Sequence, residues 1–124
     1  MTRVLFIILI LYSIPVKLLS QQLPASVKEK VERFVEQSNK HVQEGNKSQA
    51  ANLYNKIAMI YWQNKMHREA ISYYQKSIDM NKSIGNSNAL RYLYDNIASI
   101  YIDVEDYASA LSAFNESLQL KKQN

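Results

Sequence analysis

From Ser26 onward the apolar residues recur at helical rather than strand spacing. Val27, Val31, Phe34, Val35 and Val42 fall at i, i+4, i+7, i+8 and i+15, one stripe of a 3.6-residue helix. Ser26-Val27-Lys28-Glu29 has the S-x-x-E form of a capping box, and Gly45 supplies the left-handed residue that ends a helix. The same alternation of stripe and stop predicts further helices over Ser48–Gln63, Arg68–Ser83, Ser87–Asp103 and Tyr107–Lys122, with a second stop at Gly85. Five helices and no strand are expected after residue 25.

The two Gly-Asn pairs, 45–46 and 85–86, lie 40 residues apart, and a shift of 40 overlays residues 51–84 on 91–124. Fourteen of the 34 positions then match, ten identically. The identities include Leu53/Leu93, Tyr54/Tyr94, Ile57/Ile97, Ala58/Ala98, Tyr61/Tyr101, Ala70/Ala110 and Ser77/Ser117. Two unrelated amphipathic helices would not hold alanines in step with tyrosines, so this is an internal repeat.

The register resembles the tetratricopeptide repeat, a helix–turn–helix unit with bulky residues at positions 4, 7 and 11, small ones at 8, 20 and 27 and an aromatic at 24. Those places hold Tyr54, Ile57, Tyr61, Ala58, Ala70, Ser77 and Tyr74 in the first repeat. In the second they hold Tyr94, Ile97, Tyr101, Ala98, Ala110, Ser117 and Phe114. The resemblance departs from the family at position 32, where Lys82 and Lys122 replace the usual proline, and the 40-residue period is similar to a longer variant of the family. It implies an all-α solenoid of antiparallel helix pairs wound as a right-handed superhelix, with a leading helix and degenerate half-repeat over 21–50, one repeat over 51–90 and another over 91–124. The alanines are expected where paired helices cross most closely, and each buried phenol is expected to find a hydrogen-bond partner or a wet edge.

Residues 1–20 stand apart. Arg3 precedes an apolar run from Val4 to Val16, and Ser20 leads into the polar Gln21-Gln22. A basic start, a short apolar middle and a small residue before a polar stretch read as a secretory signal peptide cut after Ser20, or as an uncleaved signal-anchor that tethers the chain to a membrane. Either places the repeats outside the cytoplasm, in a periplasmic or extracellular space.

Composition narrows the chemistry. With no cysteine there is no disulfide framework, thiol nucleophile or cysteine-based metal site. The net charge of +4 falls to +2 without residues 1–20, and the basic residues are scattered, so no case for nucleic acid arises. His41 and His67 have no H-E-x-x-H partner, and His67 falls where the repeat has a packing aromatic. A calcium loop begun at Asp103 would need glycine at Ala108 and glutamate at Phe114; Asp106 reads better as the cap of the fifth helix. No catalytic constellation, cofactor or small-molecule substrate is expected.

What remains is a surface. The resemblance implies that the stripe beside the core stripe lines a concave groove for a peptide or protein partner. Carried over by position, that groove comprises Asn52, Asn55, Met59 and Trp62 from one repeat and Tyr92, Asp95, Asn96 and Ser99 from the next. The leading reading is an exported, non-enzymatic interaction scaffold. The alternative is the extracytoplasmic sensory or docking part of a larger bacterial membrane signalling protein, a sensor kinase or transcription regulator. No polar solvating helix follows the last repeat, so self-association through the uncapped C-terminal helix is a further expectation.

Overall fold

The computed structural model describes residues 22–123, and the expectations placed on residues 1–20 lie outside them. Among the described residues five α-helices follow one another: α1 Ala25–Gln43, α2 Lys47–Gln63, α3 His67–Ser83, α4 Ser87–Asp103 and α5 Tyr107–Lys122. The boundaries agree with the apolar periodicity to within one residue at every helix from α2 onward. No strand occurs among the described residues. Each helix packs on its neighbour in sequence, most extensively within the pairs α2–α3 and α4–α5. No helix among the described residues is long and apolar enough to cross a membrane.

The capping box at Ser26 does not form. Pro24 occupies the cap position with ψ 145°, and its carbonyl accepts the Lys28 N–H at 2.8 Å. With Pro24 as the cap the helix starts at Ala25, one residue before Ser26, so the Glu29 N–H that a Ser26 cap would take already belongs to the helix. The other caps follow the local chemistry. Asp106 Oδ1 accepts the Ser109 N–H at 3.1 Å and Oδ2 the Ser109 hydroxyl at 2.7 Å, which holds the carboxyl below its ordinary pKa. Asn86 Oδ1 accepts from Ala89 N at 3.2 Å.

All four turns have one geometry. The last turn residue donates its N–H to the carbonyl five positions back: Asn46 to His41, Met66 to Tyr61, Asn86 to Asn81 and Asp106 to Tyr101, at 2.8–3.0 Å. This is the Schellman closure, and it requires a left-handed residue in the middle. Gly45 (φ 75°) and Gly85 (φ 67°) fill that place as the sequence predicts, but Lys65 (φ 60°) and Glu105 (φ 61°) fill it too. The left-handed residues are thus 20 apart, so each repeat of 40 consists of two equal helix-plus-turn halves.

Packing gives the repeated residues their roles. Ala58, Ala70, Ala98 and Ala110 are all buried, as close helix crossings require. Ser77 is small for the same reason and also polar for another: its hydroxyl donates to the Ala51 carbonyl at 2.9 Å, and Asn81 Nδ2 donates to the Ser77 carbonyl at 2.9 Å. One apolar cluster runs from Ala58 through Tyr74, Ile78, Leu93 and Ile97 to Ala113, while a second joins Val31 of α1 to Tyr54 and Ile57 of α2. Tyr61 and Tyr73, stacked at 5.7 Å and 19°, touch both clusters and make the core continuous along the stack. Within that core Tyr74 breaks the rule expected of the tyrosines. It is fully buried and its hydroxyl has no hydrogen-bond partner.

Candidate docking face

The eight residues expected to form one groove occupy the outward stripes of α2 and α4, and they do not converge on one hollow. Asn52 lines an open hollow of about 500 Å³ between α1 and α2, with Gln37, Lys40, His41 and Glu44. Met59 and Trp62 line another of about 390 Å³ with Gln63, Lys65 and Asp103. Asp95 faces a third, of about 530 Å³, with Arg91, Phe114, Leu118 and Lys121. Tyr92 is exposed, and Ser99 turns back on its own helix, donating to the Asp95 carbonyl at 3.0 Å.

Trp62 is half-buried and anchored. Its indole N–H donates to Asp103 Oδ2 at 2.8 Å, and its ring meets Tyr74 edge-on at 6.4 Å. His67 Nε2 lies 3.8 Å from the same carboxylate oxygen, beyond hydrogen-bond reach. Asp103, at the end of α4, therefore gathers the end of α2 and the start of α3. This bond spans 41 positions and joins sites that do not repeat: Ile102 and Gln63 stand where Trp62 and Asp103 would be expected by register. Nothing in the sequence pattern could have revealed it.

Four enclosed polar atoms among the described residues lack partners: the Tyr74 hydroxyl, Asn55 Oδ1, His67 Nε2 beside Asp103 and His41 Nδ1. The Tyr74 hydroxyl lies against the Asn96 amide, its one polar neighbour on α4 besides Tyr92, and burial, reinforced by the Tyr92 phenol and partly offset by Asn96, holds it un-ionised far above the ordinary phenol range. An enclosed donor or acceptor without a partner costs about 1–3 kcal/mol, so such atoms need an explanation in a native fold. His41 is half-buried; its Nδ1 faces Glu44 Oε2 at 3.8 Å. Among the described residues no group of three or more His, Asp or Glu side chains is placed to hold a metal. The chemistry available on α2 and α4 is that of amides, one indole and a carboxylate, suited to holding a polypeptide by its backbone and one aromatic contact.

No match was found among curated proteins. The tetratricopeptide repeat family matches residues 49–123, the span covered by both full repeats and the helices α2 to α5. With the paired helices, the buried alanines and the 40-residue register already in place, this match settles the family. The chain belongs to the tetratricopeptide repeat family, whose arrays generally mediate protein–protein interaction.

Proposed function

We propose that the chain is an exported docking module whose α2 and α4 stripes hold an extended segment of a partner protein. The observation that carries this reading is the Trp62 anchor: its indole N–H is fixed on Asp103 at 2.8 Å and its ring lines an open hollow with Met59, on stripes where Asn52 and Tyr92 are exposed. A peptide backbone offers both donors and acceptors to such amides, and Trp62 with Met59 offers an apolar contact. Export rests on the basic, apolar and small-residue layout of residues 1–20.

The test is selection from a random peptide library, followed by binding of the selected peptides to variants. Trp62→Ala is expected to weaken binding by about 30-fold, the effect of losing about 2 kcal/mol from a desolvated aromatic anchor. Asn52→Ala is expected to weaken it by about 5-fold, the worth of one hydrogen bond. Both variants should keep full helicity. Peptides that bind wild type, Trp62→Ala and Asn52→Ala equally would place docking elsewhere on the molecule.

A further inference from the structure

The last helix carries a second, different surface. On α3, Tyr74 and Ile78 are 0 % exposed because α4 lies on them, sharing a cluster with Leu90, Leu93 and Ile97. Forty residues later the same stripe on α5 reads Leu111, Phe114 and Leu118, and these are 62 %, 40 % and 48 % exposed. With Tyr107 they fall at i, i+4, i+7 and i+11, the 3.5-residue spacing of a coiled-coil seam. A contiguous apolar stripe of this length on a surface otherwise rich in charge marks an interface.

The ends of the seam carry opposite charge. Glu105 and Asp106 precede its first residue, and Lys121 and Lys122 follow its last. A two-fold axis between Phe114 and Asn115 sets Leu111 against Leu118 of a second copy and Tyr107 against Lys122 of that copy. It also brings the basic end of each helix to the acidic end of the other, and opposes the two helix dipoles. A parallel arrangement would instead stack each pair of lysines on its own duplicate. We propose that α5 pairs antiparallel with α5 of a second copy of this chain, through Tyr107, Leu111, Phe114 and Leu118. The pairing meets the docking face only at the hollow that Phe114 and Leu118 share with Asp95, and leaves the Trp62 end of that face open. A helix of 16 residues is about 24 Å long, so the contact sits at the small end of stable interfaces.

The sequence has no cysteine, so single-cysteine variants report cleanly. Sedimentation equilibrium should show mass rising from monomer toward dimer with concentration, and Leu118→Glu should hold the monomer with unchanged helicity. Asn115→Cys, beside the axis, should cross-link rapidly with a short bismaleimide. Ala108→Cys should not, because antiparallel pairing sets its two copies about 20 Å apart at 1.5 Å rise per residue. A monomer at every concentration would overturn the proposal and leave the stripe for a helix of another protein. Association unchanged by Leu118→Glu would also overturn it, placing the contact elsewhere, as in the apolar run of residues 4–16. Equal cross-linking at 108 and 115 would overturn the antiparallel register. If Leu118→Glu failed to fold, the two cysteine variants alone would decide.

Discussion

Lys65 and Glu105 hold left-handed φ values of 60° and 61° in turns whose counterparts use Gly45 and Gly85. A Cβ in that region costs about 1–2 kcal/mol. Glycine returns about 0.5–1 kcal/mol of this through the greater freedom of its unfolded chain. The net expectation for Lys65→Gly is a gain of about 0.5–1 kcal/mol, with the same for Glu105→Gly. The two turns share no partners, so the double variant should gain about 1–2 kcal/mol. For a domain of this size that is a rise of several degrees in Tm, since about 1 kcal/mol corresponds to about 4–8 °C. The reverse change isolates the backbone effect, because a Cβ added at Gly85 meets no atom within 4 Å. Gly85→Ala should therefore lose about 0.5–1 kcal/mol for conformational reasons alone. Urea denaturation followed by circular dichroism gives each value, with Glu29→Gly, inside α1, as a control that should lose about 0.5–1 kcal/mol. If Lys65→Gly and Glu105→Gly destabilise as Glu29→Gly does, those residues are not left-handed, and the four turns are not equivalent.

Ala70→Leu and Ala98→Leu should each destabilise by about 1–3 kcal/mol in the same assay, because both sites are 0 % exposed between packed helices. Burial raises the pKa of Tyr61, Tyr73 and Tyr74, so the folded state keeps its phenol protons longer than the unfolded chain. That contribution is complete below about pH 10, where unfolded phenols begin to ionise, and is lost as pH rises through the folded values. The urea midpoint should accordingly fall above about pH 10, and Tyr74→Phe should flatten the fall while leaving stability at pH 7 unchanged or higher. Asp106 shows the opposite sign: its lowered pKa stabilises α5 above the ordinary carboxylate range and the effect is lost in acid, a dependence that Asp106→Ala should remove in an acid titration of helicity. N-terminal sequencing of protein from its native host should begin at Gln21; an intact Met1 on membrane-free cytosolic protein would contradict export.

The helices were legible because each is an amphipathic stripe with a 3.6-residue period, and the family because the repeat keeps alanines and tyrosines in register. Turn geometry was half legible. Glycine announces a left-handed residue, whereas Lys65 and Glu105 adopt the same conformation only because the helices on either side demand it. The start of α1 was misread for a related reason: Ser26 and Glu29 match a capping pattern, but Pro24 upstream already begins the helix. The docking stripe could be carried over by register, yet its internal bonds could not. Trp62 reaches Asp103, and Tyr74 is left without a partner, through contacts between helices that have no counterpart in the other repeat.

Trp62 is the sole tryptophan of the chain, so its fluorescence and its indole N–H resonance report one site on the proposed docking face. The direct measurement is titration of the wild-type protein with a library-selected peptide while both signals are followed. The account predicts that the indole resonance shifts and the emission changes along one saturating curve, with the Kd found by an independent binding assay. A peptide that saturates the protein while both Trp62 signals stay unchanged would contradict docking on the α2 and α4 face.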